Sequence, residues 1–319
     1  MLKENLFIDN QDAYENYGLY IKDYTPLIPY PPYKTIKTND WHEQDGVEAD
    51  LSCPVLSGRS ITLQFYTGRP DGVSEAQVFL SDLLSKVYHT FYFPKIGKTY
   101  KFRLVSGPSF NQNKRFDKFS LTFAEDNITI PTEAVPFVAT GIPLGYTIDD
   151  ADFAQYGCTV LQGTRDSLLK FSQPKEALQN NSNQLSGIIY DSNDIVRLRS
   201  KDITIKLHIR TKTISEFWQK WDSLWSSVLA VNIEEGLNAA VRIIEGDGMT
   251  FRCYYKKNAV DRFLFTPEGG VWCDFSITFS VLSYNRGDEW YYLAMEDDSP
   301  VLFEDGDETD ENSILVRIR

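Results

Sequence analysis

The sequence lacks most of what an enzyme or a membrane protein would need. Nowhere in its 319 residues is there an uninterrupted apolar run of the ~18 residues that a membrane-crossing helix requires, so no membrane span is expected. Histidine is scarce. His42, His89 and His208 stand far apart and predict neither a metal cluster nor a hydrolytic triad. His208 falls on the polar face of a predicted strand and is expected as a solvated surface imidazole. His42, beside Trp41, is expected buried or facing a partner. Cys53, Cys158, Cys253 and Cys273 form no C-x-x-C pair, which suits free thiols in a reducing compartment. Cys253 and Cys273 fall in predicted strands and are candidate neighbours. Glycine-rich phosphate loops and the G-x-S-x-G elbow are absent, so no nucleotide cradle or nucleophile elbow is indicated. The acidic stretch EDGDETDE from Glu304 lacks the residue order of a calcium loop. No cofactor, metal ligand set or catalytic residue is expected.

Positive charge is also in deficit. Lys plus Arg number 32 against 45 Asp plus Glu, for a net charge of −13. Stable binding to a phosphate backbone needs clustered cations, so nucleic acid is not an expected ligand. The N-terminal stretch MLKENLFIDNQDAYENYG has no apolar core and is expected to carry no leader.

What the chain does have is repetition. Ile8-Asp9 is answered by Ile148-Asp149, and Tyr17-Gly18 by Tyr156-Gly157. ITLQFYTG from Ile61 matches ITIKLHIR from Ile203. Ser74-Glu75 opens one helical stretch and Ser215-Glu216 another, with Leu83 and Val87 opposite Leu224 and Val228. Phe102-Arg103 matches Phe251-Arg252, and FSLTF from Phe119 matches FSITF from Phe275. Matches in one order, with a spacing that drifts upward only after the helix, indicate a duplication with later loop insertions.

Both units read as antiparallel sheet. Ile203, Ile205, Leu207 and Ile209 alternate with polar residues, as do Phe119, Leu121 and Phe123, and Phe275, Ile277 and Phe279. A period of two buries one face and wets the other. Each unit has one amphipathic helix. Ala76, Phe79, Leu80, Leu83, Leu84 and Val87 form the first stripe, with Ser74 as its expected N-cap. Ile214, Phe217, Trp218, Trp221, Leu224, Trp225 and Val228 form the second. The expected class is β-rich α+β. Its parts are unit 1 over residues 1–130, a linker over 131–147, unit 2 over 148–285 and a C-terminal strand extension over 286–319.

YTPLIPYPPY, from Tyr24 to Tyr33, holds too many prolines for a central strand and reads as an extended arm or an edge. Asp45-Gly46 is a hairpin turn signal. The last segment, SILVRIR, offers a strand edge to another chain. Candidate interface residues are therefore Tyr24, Pro29, Tyr30, Tyr33, Trp41, Asp45, Gly46, Ile314, Val316 and Ile318. Trp272 and Trp290 are the best candidates for sugar stacking, and aromatics at these spacings more often serve as core.

The order of signals in PPYKTIKTNDWHEQDGVEADLS, RSITLQFYTG and SEAQVFLSDLLSKV resembles the tail-tube-type unit of distal tail and baseplate hub proteins of tailed bacteriophages. The resemblance spans about residues 5–285 and is one of pattern rather than of an invariant motif. It implies tandem tail-tube-like β-barrel or sandwich domains, each with one flanking helix, assembled in a ring around the tail channel. It further implies a non-enzymatic virion tail component, assembled in the bacterial cytoplasm with other tail or baseplate proteins. Two units per chain imply a trimer with pseudo-sixfold symmetry, whereas a distal tail protein implies a hexamer. A carbohydrate-binding or carbohydrate-processing β-protein at a cell surface is the alternative.

Overall fold

The computed structural model describes residues 4–68, 72–107, 118–131, 142–177, 179–180, 186–190 and 195–284. The C-terminal extension, with Trp290 and the candidates Ile314, Val316 and Ile318, lies outside the described residues.

The first half contains β1 (Phe7–Ile8), β2 (Gln11–Asp12), α1 (Ala13–Tyr17), β3 (Leu19–Ile21), β4 (Thr38–Asn39) and β5 (Glu48–Ala49). It continues through β6 (Arg59–Thr67), α2 (Gly72–Leu83), β7 (His89–Phe93), β8 (Lys98–Ser106) and β9 (Lys118–Glu125). The second half contains β10 (Tyr146–Ile148), β11 (Ala151–Asp152), β12 (Cys158–Val160), α3 (Thr164–Leu169), β13 (Gln179–Asn180) and β14 (Ile189–Tyr190). It ends with β15 (Asp202–Thr211), α4 (Ile214–Val228), β16 (Arg242–Gly246), β17 (Met249–Phe265) and β18 (Val271–Tyr284).

Seven strands of each half form one antiparallel sheet. The orders are β2-β1-β7-β8-β9-β6-β3 and β11-β10-β16-β17-β18-β15-β12. Element for element these are the same topology, each sheet flanked by one long helix. The first sheet must also curl. Its edge strands β2 and β3 are joined only through the five-residue α1. That connection spans about 15 Å, whereas the edges of a flat seven-stranded sheet would lie about 29 Å apart.

The likeness extends to single bonds. Asp9 and Asn10, and Asp149 and Asp150, all have positive φ, forming matched two-residue hairpin turns. Non-glycine residues there carry a steric cost, offset by what the first carboxylate binds. Asp9 accepts from the Thr90 amide at 3.0 Å and pairs with His89 at 2.7 Å. Asp149 accepts from the Ile243 amide at 2.8 Å and pairs with Arg242. Burial pushes the Asp9 carboxyl up, but the Thr90 amide and the His89 ring outweigh it and hold it below its ordinary range. Asp12 and Asp152 cap the short helical turns that follow, and Gly18 and Gly157 end them at φ 63° and 68°. Across the central strand pairs, Thr62 meets Thr122 and Thr204 meets Thr278, both hydroxyl to hydroxyl at 3.1 Å.

Two sequence matches shift. Gly18 lies against Glu75 and Gly157 against Lys220, while the Tyr17 hydroxyl donates to Asp82 and the Tyr156 hydroxyl to Ser227. Leu83 thus corresponds to Val228 rather than to Leu224, one helical turn from the sequence match, and both helices end at equivalent residues. Phe102 pairs with His89 as Cys253 pairs with Arg242. So Phe102 corresponds to Cys253 rather than to Phe251, a shift of two residues. The first helix also begins at Gly72, which places Ser74 inside it and not at the cap. Leu84 and Val87 are exposed rather than part of the buried stripe.

The cores of the two halves are one continuous cluster of buried side chains. Trp221 and Trp225 on α4 are fully buried, with Trp221 edge-on to Phe275 at 4.8 Å. Burying one such ring removes about 200 Å² of apolar surface, on the order of 5 kcal/mol gross. Replacing Trp221 with alanine should lower the unfolding free energy by about 3–5 kcal/mol. An unchanged denaturation midpoint would contradict this packing.

Candidate assembly interface

Three elements of the first half lie on the second. The arm that follows β3 is the first. Tyr24 is buried between Phe93 of its own half and Phe265 of the other, edge-on to both rings at 6.3 and 5.9 Å. Tyr30 packs on Trp225 at 4.9 Å, and Tyr33 edge-on to Tyr255 at 5.7 Å. The Tyr255 hydroxyl donates to the Tyr30 carbonyl at 3.2 Å.

The β7–β8 hairpin is the second. The Trp218 indole donates to the Ile96 carbonyl at 2.6 Å, and Lys98 lies over the Trp218 ring at 4.2 Å and 3.7 Å from Asp222. Burial pushes the Asp222 carboxyl above its ordinary range against the pull of Lys98. Here Trp218, Asp222 and Trp225 form a stripe on α4 that faces the first half.

The third element is the β4–β5 hairpin, which grips the second half as a clasp. The Gly46 amide donates to the Leu198 carbonyl at 2.8 Å and the Val47 amide to the Leu282 carbonyl at 3.0 Å. The Asp45 carboxylate accepts from the Leu198 amide at 2.6 Å. Beyond the turn, the Leu51 amide donates to the Leu237 carbonyl at 3.2 Å, and Ala49 and Leu51 bury themselves against Ala240. Trp41 is 49% exposed, yet its indole donates to Glu48 and its carbonyl accepts from Lys175. Gly46 has φ 77° and a Cβ there would collide with the Leu282 carbonyl oxygen, so only glycine fits the seat.

A cavity of about 200 Å³ lies in this seam, walled by Pro29, Tyr30, Arg59, Tyr100, Glu125 and Trp218 among others. Its cation is already engaged. Arg59 donates to the carbonyls of Leu27 and Pro29 and pairs with Glu125, and it lies over the Tyr100 ring at 5.3 Å. Burial raises the Tyr100 hydroxyl to about 12 and lifts Glu125 despite the pull of Arg59. Lys201 repeats the arrangement, donating to Leu168 and Lys170 carbonyls while covering Phe251 at 4.5 Å. Two equivalent cations, Arg59 at the end of the 3-10 turn Thr25–Leu27 and Lys201 at the end of α3, each pin a short helical segment to its sheet and read as structural.

The sequence-level candidates Tyr24, Pro29, Tyr30, Tyr33, Trp41, Asp45 and Gly46 are thus gathered in one seam within the chain. Other expectations change. His208 is not free in solvent: it pairs with Asp274 at 2.6 Å beneath Trp272, while His42 is exposed. Cys158, Cys253 and Cys273 are buried free thiols and Cys53 is exposed. Cys253 pairs with Arg242 and Val281, whereas Cys273 pairs with Ile209 and Phe263, so the two are not neighbours. Among the described residues no group of three or more His, Cys, Asp and Glu side chains is placed to hold a metal, and no helix is long and apolar enough to cross a membrane.

One element escaped the sequence reading. β13–β14 is a second copy of the clasp. Thr38 pairs with Ala49 and Asn39 with Glu48 in the first, Gln179 with Tyr190 and Asn180 with Ile189 in the second. Gly46 and Gly187 both have positive φ. The arm is repeated as well: the bridge between Tyr33 and Leu56 recurs between Pro174 and Leu198.

No protein-family model matches the sequence, and no curated protein does. Among solved structures, the chain is similar to the Dit (gp 19.1) protein of phage SPP1, at 11% identity and a TM-score of 0.30. The match covers 87% of this chain and 98% of that one.

Substituting alanine at each clasp glycine should separate the seated turn from its copy. Among the described residues, no atom beyond the chain neighbours of Gly187 lies within 4 Å of the methyl that alanine would add. Gly187→Ala should therefore cost only the left-handed backbone penalty of about 1–2 kcal/mol. Gly46→Ala adds the collision with Leu282 and should cost at least ~2 kcal/mol more in dilute denaturant titrations. Equal costs would contradict the seating of the clasp.

Proposed function

We propose that this protein is a structural component of a phage tail or tail-like particle, at the tail tip or baseplate hub. It works by burying surface between β-rich units set side by side, not by chemistry at a pocket. The observation that carries the reading is the repeated seven-stranded topology with one unit already fastened to the other. A chain built this way is a pair of ring segments. The cavity in the seam has its cation, Arg59, occupied by backbone carbonyls and a carboxylate, which suits a joint better than a substrate site. The net charge of −13 suits a wall along which nucleic acid passes without sticking.

With two units per chain, a closed ring of six positions takes three chains, so the preferred assembly is a trimer with pseudo-sixfold symmetry. A hexamer of the distal-tail kind is the alternative stoichiometry. The solved SPP1 protein is described as a paradigm of hub adsorption apparatus in Gram-positive-infecting phages; the place proposed for this chain is a virion tail, beside other tail or baseplate proteins. Exposed Trp272, 38% accessible, keeps a carbohydrate-binding reading in view, but it lies against His208 and Arg210 as part of a polar strand face.

Purified particles from an induced host should contain the protein at the tail tip when labelled with an antibody and viewed by electron microscopy. Its absence from particles, together with specific binding on a glycan array, would replace this reading with the carbohydrate one.

A further inference from the structure

Among the described residues, the first clasp is seated and its copy is not. Around Gly46 the neighbouring half closes in. Around Gly187 no described atom outside its chain neighbours lies within 4 Å of an added Cβ. The residues after that glycine, Ile188, Ile189 and Tyr190, are 46%, 56% and 54% exposed. They stand where Val47, Glu48 and Ala49 stand in the first clasp. Three neighbouring apolar residues at the tip of a two-stranded ribbon are costly to leave in water.

The arm shows the same imbalance. Leu27 and Leu168 correspond, because each gives its carbonyl to the equivalent cation. Counting on from there, Tyr30 corresponds to Phe171. Tyr30 is packed on Trp225, whereas Phe171 is 89% exposed.

Among the described residues the receiving side is likewise covered once and left exposed once. Trp218, Asp222 and Trp225 on α4 are covered by the first half, and Leu229, next on the same stripe, is 2% exposed. By the helix correspondence, Trp225 and Leu229 match Leu80 on α2 and Leu84 just past its end. Leu84 is 76% exposed. The carbonyls that seat the first clasp belong to Leu198 and Leu282. Leu198 matches Leu56 through the repeated bridge, and Leu282 matches Asp126 through the paired strands β9 and β18. Val55, next to Leu56, is 51% exposed.

Resting on the assembly reading above, we infer that the second clasp and Phe171 of one chain dock on the first half of another copy, repeating between chains the contact already made within each. The Gly187 amide then donates to the Leu56 carbonyl of the next chain and the Ile188 amide to its Asp126 carbonyl. Phe171 lies on its Leu80–Leu84 stripe. Donor surface and acceptor surface sit on opposite halves, so the contact is head-to-tail and every copy offers both. Strand-end hydrogen bonds set the register and the apolar tip supplies the affinity.

The test uses the full chain in a Cys53→Ser background at high protein concentration. Ile188→Cys and Asp126→Cys are introduced singly and together, and each preparation is treated with a short bismaleimide. The double variant should give a ladder of linked chains on a denaturing gel, while each single variant stays monomeric. A monomer band alone from the double variant, or equal ladders from a single one, overturns the docking. As a second measurement, Ile188→Asp should abolish self-association in sedimentation while leaving the monomer's melting curve unchanged. Self-association at wild-type strength would likewise overturn it. These readouts are independent of the tail reading, because a ladder from a protein absent from tail particles upholds the contact and sinks only the proposed location.

Discussion

The molecule is organised by a shortage of surface. Each half is a sheet with one amphipathic helix, and neither covers its own apolar faces completely. α4 carries Trp218, Trp221 and Trp225 within about two turns, more aromatic area than one sheet face can absorb. Tyr30, Ile96 and Lys98 of the first half take up the excess. The clasp then fixes the register of this apolar contact with directional backbone bonds, since burial by itself does not specify orientation.

The details that the two halves share are those their common geometry demands. The positive-φ hairpin turn needs a short side chain that bonds its own backbone surroundings, and aspartate meets that need at Asp9 and Asp149. The buried end of each turn needs a partner, and His89 and Arg242 are different answers to one requirement. The cation under the short helical segment changes from Arg59 to Lys201 while its carbonyl partners stay equivalent. Where the environment differs, the sequence follows. Trp225 faces a neighbour within the chain, whereas its match on α2 is a half-buried leucine, Leu80.

Much of this fold was legible in the sequence. Alternating strands such as Ile203–Ile209 have one wet face and announce themselves. The two shifted matches have a physical cause. An apolar stripe on a helix resembles itself when moved by one turn, and an alternating strand when moved by two residues, so sequence alone did not fix the register of α2 against α4 or of β8 against β17. Tertiary contacts at Gly18, Gly157, Tyr17 and Tyr156 did. The second clasp was invisible for another reason. Its strands are two residues long, and their pairing depends on what surrounds them rather than on local propensity. Ser186-Gly187 ahead of Ile188, Ile189 and Tyr190 was the only signal, and it stands out only once the first clasp is known. The sequence reading puts Tyr24 to Gly46 at an assembly interface between subunits; in the structure they line the seam between the two halves of one chain.

One fold occurs twice in this chain, with one clasp seated inside it and the other, among the described residues, exposed. Hydrogen exchange of the clasp amides across a range of protein concentrations tests it most directly. The Gly46 and Val47 amides should be protected at every concentration, while those of Gly187 and Ile188 should exchange freely when dilute and become protected as the concentration rises. Equal protection of both pairs in dilute solution, or no gain at Gly187 and Ile188 at high concentration, would contradict the account.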